Sequence, residues 1–413
     1  MPLTRTHVGS PRSTGGAAIA VAMGVMNIST YAFTLVAARL LGPQAYGAFS
    51  AVLGVLLVVG VAQLGLQATA ARRISAAPAD AALVAPTVLR LTHRSALVLG
   101  GVLLLLSPVL DRALRLGSLP TAALIGVCAV PITVMGGQAG VLQGERRWRA
   151  LAAVYLASGV PRLVLGVVLL VWRPTETVAV LAVTLGFVAA VAVGSWHVRD
   201  HRGADASLAH AAGHGLRRTL SEALHNSHAL LAFFALTNVD IVVARNVLEP
   251  RDAGLYAAGL ILVKAVLFLP QFVVVLAFPA MASDPRRRRA LLLSTGTVVL
   301  VGALVVLGTW LLQGLAVDFV GGSAYAAVGP ELWRWALLGT LASTLQLLVY
   351  GVVARQSRWT VVLLWAGLVV LLALAPLADS VVGLVGVVSV VDAVLVVLLL
   401  GLSLRATVSR AIR

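Results

Sequence analysis

The chain has 413 residues, of which 60% are hydrophobic and only 11% charged, and its mean hydropathy is +0.99. A soluble globular domain carries about 25% charged residues, so this composition excludes one. Unbroken Val, Leu and Ala runs without polar alternation exclude a transmembrane barrel as well. The net charge of +16 does not indicate nucleic acid, because the arginines sit in short loops between apolar runs, where they set topology and meet lipid headgroups.

Residues 1–15 are polar, carry Arg5 and Arg12, and form a cytoplasmic N-terminal tail. The next apolar run is too long for a signal-peptide core and lacks a clear cleavage site, so it is an uncleaved first helix. Six spans are predicted in an N-lobe, 16–198, at 16–38, 46–70, 84–109, 118–141, 150–172 and 176–198. Arg90, His93 and Arg94 interrupt the third, whose apolar core begins near Ser95. A cytoplasmic linker rich in His, Ala and Gly follows at 199–219. Six more spans make a C-lobe, 220–404, at 220–246, 253–280, 290–313, 328–353, 358–378 and 381–404, before a cytoplasmic C-terminal tail at 405–413. With both termini inside, the cytoplasmic loops hold most of the arginines, among them Arg72, Arg73, Arg146, Arg147, Arg149 and the run from Arg286 to Arg289. That is the positive-inside bias. All but one of the 31 basic residues are arginine. This skew, with abundant Ala, Val and Gly, suggests a GC-rich bacterial genome, and hence the bacterial cytoplasmic membrane.

No loop is long enough to fold as a soluble domain, and no phosphate-cradling loop, His-Glu-x-x-His or Gly-x-Ser-x-Gly motif is present. The protein is not expected to be an enzyme. The lone Cys128 lies in an apolar span. Six of the eight histidines fall between His197 and His228. His197 and His201, like His210 and His214, have a helical spacing that permits metal binding, but no Cys or acidic set completes a site. A solvated linker is the simpler reading, and no metal or other cofactor is expected.

One motif occurs twice. Ala38-Arg39, Pro43, Gly47, Phe49, Ser50 and Ala51 are matched by Ala244-Arg245, Pro250, Gly254, Tyr256, Ala257 and Ala258, with the prolines 207 positions apart. Each copy joins two apolar runs at an outward-facing turn, so the halves are a parallel six-plus-six repeat. Proline ends the helix, glycine tolerates the bend, and the aromatic suits the interface belt. The corner is therefore expected to build the fold rather than to touch substrate.

The stretch Ala37–Ala51 contains an ARxLGPxxYG core: Ala38, Arg39, Leu41, Gly42, Pro43, Tyr46 and Gly47. With Leu64-Gly65-Leu66, the series Asn238–Ile241, Ala253–Tyr256 and Phe278-Pro279, and the loop Gln143–Trp148, it resembles the polysaccharide-biosynthesis membrane proteins called Wzx-type flippases. These belong to the multidrug/oligosaccharidyl-lipid/polysaccharide exporter superfamily. The resemblance implies an all-α integral membrane protein of twelve transmembrane helices, arranged as two six-helix lobes in a MATE-like fold around a central cavity. It also implies alternating access and an anionic lipid-linked glycan as substrate, with membrane lipid and glycan-assembly enzymes as partners.

Charges deep in lipid face a cavity or a partner. Arg162, after Pro161 in the fifth span, and Lys264, in the eighth, come from different lobes; with Asn27 in the first span they are the candidate substrate contacts. A lipid diphosphate needs fixed positive charge, which they supply unless each is tied to Asp240 or Asp392 as a buried ion pair. Asp240 and Asp392 either form such pairs or bind a coupling proton or sodium ion. Arg39 and Arg245, at outer helix ends, either snorkel to the interface or gate the outer end.

The expected function is a flippase that moves a polyprenyl-diphosphate-linked oligosaccharide to the outer leaflet. Its rivals are a cation-coupled multidrug exporter, which would favour acidic cavity walls, and a non-transporting scaffold of a glycan-assembly complex. A glycan polymerase or ligase would show a sizeable outward loop, which the sequence lacks.

Overall fold

The computed structural model of the protein describes residues 12–76, 78, 81–203, 213–267, 287–353 and 358–411. The expectations for Arg5, His210, Phe278, Pro279 and Arg286, for the linker stretch 204–212 and for the end of the eighth span at 268–280 lie outside the described residues.

Among the described residues the chain is helical, with no strand. A helix satisfies its own backbone polar groups, which the bilayer core requires. The first half comprises α1 (Arg12–Ala76), α2 (Ala81–Leu105), the short α3 (Ser107–Ala113), α4 (Leu119–Gly144), α5 (Trp148–Trp172) and α6 (Glu176–His197), followed by a 3₁₀ turn at Arg199–Gly203. The second half comprises α7 (Gly213–Val247), α8 (Pro250–Leu267), α9 (Arg287–Leu311), the short α10 (Gln313–Val320), a 3₁₀ segment (Ser323–Glu331), α11 (Leu332–Val353), α12 (Arg358–Leu374) and α13 (Val381–Ala411). Large apolar side chains point outward: Leu105 is 82% exposed, Val171 69% and Val397 68%. In water this would be an aggregating surface; in a bilayer it is the face that meets lipid.

Among the described residues ten helices are long and apolar enough to cross a membrane, which makes this a multi-pass membrane protein, against the twelve predicted spans. The difference has two causes. The first two spans are the arms of one element, α1, which bends without a loop. Of the predicted eighth span, only the part within α8, up to Leu267, is among the described residues, and α8 carries Arg251, Asp252 and Lys264.

The bend in α1 is made by one residue. Gly42 adopts φ 69° and ψ 174°, a backbone open to glycine because it has no Cβ. Pro43 then restarts the helix with its φ already set and no N–H to be orphaned. The second copy turns over two more residues, α7 ending at Val247 and α8 starting at Pro250. The N–H of Ala253 closes its first turn on Glu249 O at 2.9 Å.

α1 packs on α4 and α5 within the first half and on α7 and α8 in the second. α1 is thus the seam between the halves, and the two corners meet on it. A Cβ on Gly47 would lie 3.0 Å from Gly254 Cα, and one on Gly254 would run into the backbone of Pro43. Gly47 and Gly254 are equivalent positions, so the approximate two-fold axis relating the halves passes between them. Small residues let helix backbones approach this closely in a membrane. Replacing Gly254 by valine is expected to destabilise the protein by at least about 1–3 kcal/mol, the usual range for overpacking, because the obstacle is backbone. A thermal unfolding scan in detergent reads this as a lowered midpoint.

The motif's aromatics correct the interface-belt expectation. Phe49 and Tyr256 are both fully buried. Phe49 packs edge-on against Phe33 at 5.9 Å, and Tyr256 against Trp335 at 6.1 Å. Aromatic pairing within each half holds them in the core. The third span also ends sooner than predicted: α2 stops at Leu105 and α3 restarts with Pro108 in its first turn. Its counterpart α10 lies in the second half, where Asp318 stands 207 positions after Asp111.

Candidate functional site

A cavity of about 320 Å³ lies between the halves. The first arm of α1 lines it with Thr30, Tyr31 and Thr34, and the second arm with Leu53 and Leu57. α5 adds Arg162 from the same half, and α11, in the second half, adds Gln346. From the second half also come Phe233, Phe234, Thr237 and Asn238 of α7, and Leu260, Ile261, Val263, Lys264 and Leu267 of α8. Arg162 and Lys264 therefore share one cavity, each supplied by a different half.

Arg162 is 7% exposed. Its stem packs on α6 where Gly186 has no side chain; a Cβ there would come within 2.8 Å of Arg162 Cβ. The guanidinium stacks on Phe187, 4.6 Å from the ring centroid, and Nη1 donates to Thr30 Oγ1 at 3.4 Å. Nε has no hydrogen-bond partner. No ion pair joins Arg162 or Lys264 to Asp240, Asp392 or any other carboxylate among the described residues. Lys264 is half-buried and lies within electrostatic reach of Asp240. Two cations held in low dielectric without a bound carboxylate leave a strong positive potential. A planar guanidinium with an unused N–H suits an oxyanion.

The acids are placed apart from this wall, within the second half. Asp240 is 3% exposed and accepts from Tyr256 Oη at 2.8 Å and from the Ile241 N–H at 2.9 Å. Its phenol donor is the aromatic of the second motif copy; Phe49, in the first copy, has no hydroxyl to offer. Asp392, on α13, is equally buried and interacts with Asp240 through space. Asn27 is half-buried one turn before Thr30 and Tyr31 on the same face of α1, and is not part of the cavity wall.

Arg39 and Arg245 each reach into the opposite half. Arg39 Nη2 donates to Asp318 O on α10 at 2.8 Å. Arg245 is 6% exposed, so it does not snorkel. Its Nε donates to Leu114 O at 3.0 Å, and its Nη2 to Arg115 O, in the loop after α3. Asn246 Nδ2 adds a bond to Ala113 O at 2.7 Å. Helix C-terminal carbonyls lack intrahelical partners and carry partial negative charge, so a guanidinium satisfies both needs at once. Tyr325 Oη donates to Ala38 O at 2.8 Å, and Tyr31 Oη to Ile261 O at 3.0 Å. At the Gly42 end the two halves are therefore tied to each other by bonds donated from both sides.

At the linker end, His201 Nε2 lies 2.8 Å from Glu145 Oε1, docking the 3₁₀ turn on the loop between α4 and α5. No group of three metal-ligating side chains occurs among the described residues. Sequence reasoning missed Thr30, Tyr31, Thr237, Asn238 and Gln346 in the cavity wall. The signal that marks them is polarity within an apolar span, the same one that marks Asn27.

The sequence model of the family described as polysaccharide biosynthesis protein matches residues 14–284. The chain belongs to that family. Solved structures extend the likeness in fold over nearly the whole chain. An inward-facing multidrug resistance MATE family transporter of the MOP superfamily aligns at TM-score 0.73 and 13% identity, covering 96% of this chain and 98% of that one. An outward-facing one aligns at TM-score 0.61 and 14% identity, covering 95% and 94%. A MOP superfamily transporter from Pyrococcus furiosus, described as having a binding pocket of reverse polarity, aligns at 0.59 and 14%, covering 96% of each chain. No curated protein matches the sequence. The chain thus has the MATE-like fold, with its two helical lobes around the cavity just described.

Proposed function

We propose that the protein is a flippase that carries a polyprenyl-diphosphate-linked oligosaccharide from the inner to the outer leaflet of the bacterial cytoplasmic membrane by alternating access. The observation that carries this reading is the interlobe wall: Arg162 and Lys264 face one cavity, whose described lining includes no acidic side chain. Cationic drugs would favour the opposite polarity. The volume of about 320 Å³ is at the low end for small-ligand sites. It accommodates the diphosphate and the adjoining sugar, with the isoprenoid chain left in the bilayer.

In this reading the Gly42 end faces outward, both termini are cytoplasmic, and Arg39 and Arg245 form the outer gate, closed here. Asp240 and Asp392 are the groups for a coupling proton or sodium ion. Glycan-assembly enzymes deliver and receive the cargo. The test is reconstitution into vesicles with a fluorescent polyprenyl-diphosphate sugar and an external quencher. The protein is expected to accelerate exchange between leaflets. Unchanged exchange under both a proton and a sodium gradient would sink the proposal.

A further inference from the structure

A second cavity, of about 450 Å³, lies on the flank of the second half between α9 and α11, away from the interlobe wall. One stripe of α9, with Val299, Ala303, Leu307 and Trp310, forms one side, and Trp333 and Leu337 of α11 form the other. The helices touch beneath it where Gly302 abuts Thr340; a Cβ on Gly302 would overlap that side chain. From Val299 to Trp310 the groove runs about 16 Å at the helical rise, roughly half the hydrocarbon thickness of a bilayer. It is therefore one leaflet deep, the length of a single acyl chain.

The mouth of the groove carries charge of both signs. Trp310 and Trp333 stand at the Gly42 end, the level at which tryptophan meets headgroups. Arg334 lies over the Trp333 ring, 4.8 Å from its centroid, and pairs with Glu331. Both partners of the pair are 36% exposed, so each has a free edge for a ligand. The mouth is zwitterionic, with no net charge, above an apolar slot.

We propose that this groove holds one zwitterionic aminophospholipid of the surrounding bilayer. One acyl chain fills the slot, the phosphate accepts from Arg334, and the ammonium donates to Glu331. A phosphatidylglycerol would satisfy Arg334 but set its net negative charge beside Glu331 without a cation to offset it. The site is separated from the interlobe cavity by α11 and stands whether or not the transport reading does.

The test is native mass spectrometry of the purified full chain released from vesicles of equimolar palmitoyl-oleoyl phosphatidylethanolamine and phosphatidylglycerol. The expected result is one retained phosphatidylethanolamine, preferred roughly threefold to fivefold, the ratio that an exposed ionic contact supplies. Leu337→Trp, which fills the slot, is expected to remove that lipid; Ala303→Phe does the same from the other wall and serves if the first variant fails to fold. Glu331→Gln is expected to keep a bound lipid and lose the headgroup preference. Equal retention of both lipids by the wild type overturns the proposal. So does retention unchanged in a folded groove variant, a preference unchanged in Glu331→Gln, or displacement of the phospholipid by decaprenyl phosphate at equal concentration, which would assign the groove to an isoprenoid chain.

Discussion

Replacing Arg162 and Lys264 together by methionine is expected to abolish transport while leaving the protein at least as stable as the wild type. A hydrogen bond to a charged group contributes about 1.5–3 kcal/mol, so each single substitution should weaken headgroup binding roughly tenfold to a hundredfold. The stability half of the result separates two roles. If the cations were halves of buried ion pairs, removing them would strand carboxylates in the interior at a cost of about 3–5 kcal/mol. No such pair closes, and Arg162 Nε has no partner, so methionine instead removes an uncompensated desolvation penalty. Vesicle exchange rates and melting midpoints should therefore move in opposite directions, or the midpoint should stay fixed. Arg162→Lys keeps the charge but loses the planar fork and should fall between wild type and the methionine variant. Wild-type exchange by the double variant would remove the headgroup role. Intact glycan assembly in cells carrying it would favour a scaffold.

Arg245→Ala is the second large effect. It is expected to open the Gly42 end. Arg245 is buried and satisfies two carbonyls of the loop after α3, whereas Arg39 is solvent-exposed and satisfies one. The buried bond, to Leu114 O, is worth about 1.5–3 kcal/mol with its charged donor, so losing it from the closed state should by itself shift the open-to-closed ratio by roughly ten- to hundredfold. Arg39→Ala should do less. Spin labels can be placed on Leu40 and Leu315, exposed side chains of the two halves, after replacing the buried Cys128. A longer inter-label distance should then appear in Arg245→Ala. Arg245→Lys should not restore closure, because one ammonium cannot reproduce a fork that spans Leu114 and Arg115. An unchanged distance distribution in Arg245→Ala would end the gate proposal.

The membrane class, the twofold repeat and the corner were legible in the chain because hydropathy, proline and glycine act locally. Pro43 and Gly42 announce a turn wherever they are folded. The positions of Arg162 and Lys264 were legible for a different reason: an ionised group in an apolar run has few permitted destinations. The reciprocal docking of Arg39 and Arg245 was not, because their acceptors are backbone carbonyls, which every residue carries. Nor was the burial of Phe49 and Tyr256, since an aromatic beside a turn suits the interface and the core alike until its neighbours are known. Asn27 shows the limit of depth as a criterion. It lies in the right span and on the right face, one turn off the cavity.

The meeting of Gly47 with Gly254 has a consequence for the origin of the chain. A contact in which the same position faces itself across a two-fold axis is the signature of an isologous homodimer. A single six-helix ancestor could have paired through this corner before the halves were fused into one gene. Fusion freed the two copies to diverge. Phe49 faces a phenylalanine while Tyr256 holds a carboxylate, and Leu57 stands where its counterpart 207 positions on is Lys264, both in the cavity wall. A symmetric dimer would have doubled every charge in that wall. Duplication followed by drift leaves one cation on each side instead, at non-equivalent positions, and so gives the cavity an asymmetry across its two-fold axis that no pair of identical subunits possesses.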